Sequence, residues 1–64
     1  MYKEITNQMT RRKETQQDIA NLLEIDRSQI SRKITGQVNW NMNEIKTLCK
    51  HYNMKFEKLF RKEE

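Results

Sequence analysis

Asp26 divides a run of residues that would otherwise suit one long helix. The stretch QQDIANLLEIDRSQISR, residues 16–32, holds apolar side chains at helical spacing on both sides of this aspartate. Aspartate is unfavourable inside a helix and favourable as an N-cap, so a continuous helix would lose its best local interaction. We therefore predict two short helices that meet at a bend over residues 23–26.

Cap signals of the same kind mark other helix starts. In a capping box, a short oxygen-bearing side chain precedes a polar or acidic residue by three positions. The spacing occurs at Thr15 with Asp18, Asp26 with Gln29, and Asn41 with Glu44. Gly36 provides a stop for the helix that begins at Asp26, because glycine adopts the left-handed conformation without a Cβ penalty.

Every element predicted from the sequence is a helix. Apolar spacing adds a first helix over residues 2–12, a fourth over 42–52 and a fifth over 56–61. The chain has 64 residues, one glycine and no proline, and no apolar segment approaches the roughly 20 residues that span a bilayer. We expect an all-α fold of five short helices in a single domain over residues 1–64, with a cytoplasmic location and no membrane partner.

Ala20 is the small residue that the bend requires. Where two helices cross steeply over a short turn, their backbones approach closely, and a side chain larger than a methyl group would separate them. Helices 2 and 3, over residues 15–36, therefore fit a helix-turn-helix. The same alanine also suits an ordinary helical hairpin, in which it is simply a good helix former.

Patterns typical of enzymes and metal sites do not occur in the sequence. His51 is the only histidine and has no cysteine near it, and Cys49 lies within an apolar helical pattern. There is no glycine-rich phosphate loop and no nucleophile motif, and a core this small leaves no room for a closed pocket. We expect a protein that is not an enzyme and that uses no metal and no cofactor.

Charge is segregated along the chain. The net charge is +4, and residues 27–43 carry three basic side chains and no acidic one. This distribution suits a protein with one side that faces a polyanion, although it also fits a solvated surface.

Residues 15–36, TQQDIANLLEIDRSQISRKITG, resemble the helix-turn-helix core of the phage repressor and Cro family, in particular small regulators of Gram-positive phages and mobile elements. Residues 41–60 are similar to that family's fourth and fifth helices. The resemblance implies a lambda-repressor-like DNA-binding domain that acts as a transcriptional regulator, either Cro-like or a short repressor. Glu24 stands where the family carries glycine. Lys33 stands where the family carries a hydrophobic residue, and we expect Ile34 to take over its packing.

The resemblance places the base-reading residues on the outer side of helix 3. Arg27, Ser28 and Arg32 match the family's base-contacting positions, and Gln29 and Ser31 are second choices. Because arginine can donate two hydrogen bonds to guanine, we expect a half-site that contains guanine. The alternative for both arginines is a pair of solvated basic residues.

Phosphate contacts are expected at helix ends, where unpaired N–H groups and the helix dipole attract an anion. Family members use the residue that matches Gln16 in this way. The expected contacts are Thr15 and Gln16 before and within helix 2, then Lys33, Thr35, Gln37 and Asn39 at the end of helix 3, with Arg11 and Arg12 as further candidates.

Apolar residues over residues 52–61 form a possible dimerisation element. One recognition helix reads too few base pairs for useful specificity, so we expect a weak homodimer on a palindromic double-stranded DNA operator. The predicted pairing surface comprises Tyr52, Met54, Phe56 and Phe60. The alternative is that these side chains are all core residues of a protein that binds as a monomer.

Trp40 has two interpretations, because an indole stacks on bases but just before a helix N-terminus more often packs in the core or an interface.

The alternative to DNA binding is a function of a different class, the binding of another protein. A helical protein-interaction module, such as an antitoxin or antirepressor, would use Met54, Phe56, Phe60 and Trp40 as its contact surface.

Overall fold

The computed structural model describes residues 1–62, and this part of the chain is all-α, as predicted. None of its helices is long and apolar enough to cross a membrane. The fifth helix is shorter than the predicted residues 56–61. In chain order the helices are α1 (Lys3–Arg11), α2 (Gln16–Leu23), α3 (Arg27–Thr35), α4 (Met42–Tyr52) and α5 (Phe56–Leu59).

Two of the three predicted capping boxes form. At the start of α2, the Thr15 hydroxyl accepts the Asp18 N–H at 3.2 Å, and the Thr15 N–H donates to the Asp18 carboxylate at 2.9 Å. At the start of α4, Asn41 and Glu44 make the equivalent bonds, at 2.8 and 3.0 Å.

The third predicted capping box, at Asp26, does not form, although the helix begins where the prediction placed it. Asp26 is the N-cap of α3 with an extended backbone, but its side chain makes no cap hydrogen bond. The Gln29 N–H donates instead to the backbone carbonyl oxygen of Asp26 at 3.0 Å. The Gln29 side chain is therefore not used as a capping partner.

The turn between α2 and α3 has the left-handed residue that the family pattern implies. Glu24 has φ 58° and ψ 43°, and the next N–H, that of Ile25, donates to the carbonyl oxygen of Ala20 at 3.0 Å. Ala20 and Ile30 are fully buried where the two helices pack closely together. The fold is therefore consistent with a helix-turn-helix.

An aromatic cluster closes the core beneath α1. Trp40 packs edge to face against Tyr2 and Phe60, with ring centroids 6.2 and 5.5 Å apart. Trp40 is therefore a core residue, which was the second of its two interpretations. The Tyr2 N–H donates to the Ile34 carbonyl oxygen at 2.9 Å, which ties the start of the chain to the end of α3.

The pairing surface predicted near the C-terminus needs correction. Tyr52 and Phe60 are 3% and 8% exposed, because both pack into the core, so neither is available to a partner. Met54 is half-buried against the same core. Phe56 is 52% exposed and stacks on Phe60 with ring centroids 5.6 Å apart.

Candidate nucleic-acid interface

Helix α3 has one exposed side and one buried side. Ile30, Lys33 and Ile34, which recur at helical spacing, are buried against the rest of the molecule. The other side carries the predicted base-reading residues, of which Arg27, Ser28, Ser31 and Arg32 are exposed. Gln29 is half-buried at the edge. The structure therefore brings two guanidinium groups and two hydroxyl groups together on one accessible face.

The phosphate contact predicted for Lys33 is wrong, because the structure buries this side chain. It is 7% exposed, and its ammonium group is paired with the carboxylate of Glu44. Lys33 thus keeps the inward position that relatives give to a hydrophobic residue, and Ile34, 6% exposed, packs beside it instead of replacing it. The interior tolerates the charge because the Glu44 carboxylate pairs with it and accepts its hydrogen bond.

The Lys33–Glu44 pair joins α3 to the beginning of α4. The same Glu44 oxygen that accepts from Lys33 also accepts the Asn41 N–H of the capping box. The Lys33 ammonium lies 5.8 Å from the centre of the Trp40 ring, on its face. One carboxylate therefore completes the cap of α4 and fixes the C-terminal half of α3.

The start of α2 presents backbone donors. The capping box uses the Thr15 hydroxyl, and it satisfies the N–H groups of Thr15 and Asp18. In the first turn of a helix, the N–H groups of Gln16 and Gln17 have no intrahelical acceptor. Thr15 is exposed and the Gln16 side chain is half-buried. Neither residue is buried, and their predicted phosphate contacts stay a prediction.

The polar residues Thr35, Gln37 and Asn39, at the end of α3 and just after it, are exposed, but the hydroxyl group of Thr35 is already bonded. The Thr35 hydroxyl lies 3.1 Å from the carbonyl oxygens of Ser31 and Arg32, so its proton points back into the helix. Gly36 ends α3 with φ 90°, as expected. Beyond it, the chain exposes Gln37 and Asn39.

Arg11 and Arg12 lie beside the end of α4. Arg12 donates to the His51 carbonyl oxygen at 3.1 Å, and its guanidinium group lies 5.0 Å from the centre of the Tyr52 ring. Arg11 lines a groove together with Tyr52 and Met54. Both arginines therefore lie next to the end of α4 and not on the exposed face of α3.

Sequence reasoning missed a polar cluster around Glu14. The Tyr52 hydroxyl donates to one Glu14 oxygen at 2.7 Å, and His51 Nε2 lies 2.6 Å from the other. Burial and the hydrogen bond to this carboxylate raise the pKa of Tyr52 well above its ordinary value. The partners are 37 and 38 residues apart, so no local spacing signals their contact.

A tight α2–α3 pair, a left-handed turn and an exposed basic face on α3 define the class of small helix-turn-helix domains. The family model of the BetR domain matches residues 1–64, so the chain belongs to the BetR domain family. The match supports a small helical regulatory domain and is consistent with DNA binding. No curated protein and no solved structure matches the chain significantly. The resemblance to the phage repressor and Cro family stays a prediction.

Proposed function

We propose that the chain is a sequence-specific double-stranded DNA-binding regulator, Cro-like or a short repressor, that reads an operator with α3 in the major groove. The observation that supports this proposal most directly is the divided surface of α3. Its buried side holds the helix in place, while Arg27 and Arg32 stay exposed. An α-helix fits the major groove, where arginine can bind guanine through two hydrogen bonds.

Phosphate contacts in this proposal come from the two helix ends that flank the reading face. The first turn of α2, with Thr15 and Gln16, offers N–H groups to one backbone position. Gln37 and Asn39, both exposed after α3, would reach another. Such contacts fix the position of α3 on the duplex and carry no sequence information.

The test compares binding to a selected operator with binding to unrelated duplexes. Sites are first selected from a random duplex pool with the parent chain. Arg27→Ala and Arg32→Ala should each weaken operator binding by about 1–3 kcal/mol, because each removes a base contact. Gln16→Ala should weaken binding to all duplexes more evenly, since it removes a phosphate contact.

Lys46→Ala is the matched control for these variants. Lys46 is an exposed basic residue on α4. Its loss removes the same charge without touching α3, so operator preference should remain that of the parent. Operator binding by both arginine variants at parental strength would contradict the proposed reading face.

The proposal includes dimerisation on a palindromic operator. Of the aromatic residues predicted for the pairing surface, Phe56 alone would form the contact. A side chain of this size that is 52% exposed is suited to a small contact, which gives a weak dimer. Phe56→Lys should reduce cooperative binding to a palindrome and leave binding to an isolated half-site unchanged. A footprint without two-fold symmetry, with one protein for each site, would contradict the dimer.

The protein-interaction module has less support than DNA binding. Of the contact residues it would use, Trp40 and Phe60 are 9% and 8% exposed and belong to the core. Only Phe56 of the expected aromatic residues remains on the surface. A groove that holds a partner helix would be lined by apolar residues, whereas the accessible face of α3 is polar and basic.

A further inference from the structure

An open groove lies between α1 and the chain around α5. Its volume is about 660 Å³, and none of its lining residues belongs to α2 or α3. Lys3, Glu4 and Arg11 line the side formed by α1, and Met54, Lys58 and Arg61 line the opposite side. The groove is therefore separate from the proposed DNA-reading face.

Positive charge dominates the lining of the groove. Four of the lining residues are basic and one is acidic. The acidic residue, Glu4, accepts a hydrogen bond from Gln8 at 2.8 Å, and this bond is the main reason that the pKa of Glu4 is lowered. Glu4 therefore keeps its negative charge, which the four basic side chains of the lining outweigh. Arg11, Lys58 and Arg61 are all exposed and can meet an anion from outside.

We propose that this groove binds an extended acidic segment of a partner protein. Carboxylates of such a segment would accept charge-assisted hydrogen bonds from Arg11, Lys58 and Arg61. Met54 is half-buried in the same groove, and its flexible thioether side chain adapts to the aliphatic parts of a bound chain. The positive lining thus complements the carboxylates of an acidic segment, and the Met54 side chain can pack against the aliphatic parts of that segment.

The shape of the groove favours a single chain over a DNA duplex. Its volume of about 660 Å³ falls within the range of concave sites that enclose a small ligand or a few residues. The described molecule measures only 25 × 23 × 21 Å, so a duplex would lie across the groove and not inside it. Positive charge within a concavity therefore indicates a ligand that can enter.

The experiment uses the full chain and a fluorescein-labelled glutamate-rich peptide with a leucine at its centre. Binding is followed by fluorescence anisotropy. We expect saturable binding that Lys58→Glu and Arg61→Glu each weaken at least about tenfold, a loss of one strong charged contact. The same peptide with glutamine in place of each glutamate should not bind.

Lys46→Glu is the control for net charge, because Lys46 is exposed and lies outside the groove. It should leave peptide binding at the parental level, and an equal loss would overturn the proposal. Arg61 is exposed and lies just after α5. Arg61→Gln removes its charge without reversing it, so it still tests the groove if a charge-reversal variant fails to fold.

Duplex binding separates this proposal from the proposed function. Arg27→Ala should lose operator preference and keep peptide binding, whereas Lys58→Glu should do the opposite. No peptide binding by the parent would overturn the inference. If Lys58→Glu also lost duplex binding to the same extent as Arg27→Ala, the groove would instead be a phosphate contact. Failure of operator binding alone leaves the peptide result standing.

Discussion

Polar clusters at the two ends of α4 hold the two helices of the helix-turn-helix in different ways. At the N-terminal end of α4, Glu44 is paired with Lys33 of α3. At the C-terminal end, Tyr52 and His51 meet Glu14, which lies two residues before α2. The comparison identifies α4 as the support to which both α2 and α3 are attached.

The clusters differ in burial and in charge. The side chains of Lys33 and Glu44 are 9% and 5% exposed, whereas those of His51 and Glu14 are 29% and 17% exposed. Removing one partner of a buried ion pair leaves a charge without compensation, while water reaches the second cluster and reduces the cost of a lost partner. We conclude that the position of α3 depends on a costlier interaction than the position of α2.

Glu44→Ala should have the largest effect on stability. The substitution leaves the Lys33 ammonium buried without its partner, which typically costs about 3–5 kcal/mol. A domain of this size has a free energy of unfolding of about 3–10 kcal/mol, so the variant should lose between roughly a third and all of its stability. Urea denaturation followed by circular dichroism measures the loss.

Replacing both partners is the control for this variant. Lys33→Met combined with Glu44→Gln removes both charges, keeps similar volumes and leaves an amide to continue the capping box. Its stability should be near that of the parent, because a buried pair is often no better than apolar packing. A double variant as unstable as Glu44→Ala would show that burial of the charge is not the cause.

Glu14→Ala should have the next largest effect. It leaves the buried Tyr52 hydroxyl without an acceptor, at a cost of about 1–3 kcal/mol. Tyr52→Phe, which removes the hydroxyl as well, is the matched variant, and combining it with Glu14→Ala should recover part of the loss. A cost for Glu14→Ala above that for Glu44→Ala would reverse the proposed ranking of the two clusters.

Asn41→Ala separates the two tasks of Glu44. It removes the side-chain cap of α4 and leaves the pair with Lys33, so the free energy of unfolding should fall by about 1 kcal/mol. Asp26→Ala is the control, because Asp26 is also an N-cap but makes no side-chain cap bond. Thermal unfolding should show a clearly smaller change for Asp26→Ala, and equal changes would contradict the difference between the caps.

Glu24→Gly tests the turn that lies outside both clusters. Because Glu24 has φ 58°, glycine relieves a steric cost of about 1 kcal/mol, part of which is offset by the greater freedom of glycine in the unfolded chain. Glycine should therefore be neutral or stabilising by less than about 1 kcal/mol. Glu24→Ala keeps a Cβ and controls for loss of the charge. A clear loss of stability with glycine would contradict the observed turn.

At a pH of about 10, ionisation of the Tyr52 cluster should have the smallest effect on stability. The raised pKa means that folded Tyr52 keeps its proton where the unfolded chain loses it, so this contribution is complete below pH about 10 and is lost as the pH rises further. At pH about 10, half of the unfolded tyrosine is ionised, which costs about 0.4 kcal/mol. Urea denaturation at several alkaline pH values should show a steeper loss for the parent than for Tyr52→Phe, and parallel curves would contradict it.

Local signals predicted the helices well because caps and turns depend on neighbours in the sequence. Thr15 and Asn41 cap as expected, and Gly36 ends α3 in the left-handed conformation. Ala20 is fully buried at the crossing of α2 and α3, which is the role that its size suggested. The fold class therefore followed from the sequence alone.

Interactions between distant residues escaped the sequence reasoning. The phosphate contact predicted for Lys33 requires an exposed side chain, whereas Glu44, eleven positions away on another helix, makes burial of this lysine acceptable. The Glu14 cluster depends in the same way on contacts between the end of α4 and the segment before α2. The exposed face of α3 was predicted correctly as a surface, while its contacts with DNA stay a prediction.

Interleaving of the two sides of α3 has an evolutionary consequence. The exposed positions and the buried positions share one helix but have no residue in common, so a lineage can exchange Arg27 or Arg32 for other side chains at little cost to folding. Under the proposed function, operator preference would then drift quickly among descendants of one ancestor. The Lys33–Glu44 pair behaves oppositely, because either residue alone is a liability, and descendants should gain or lose the two together.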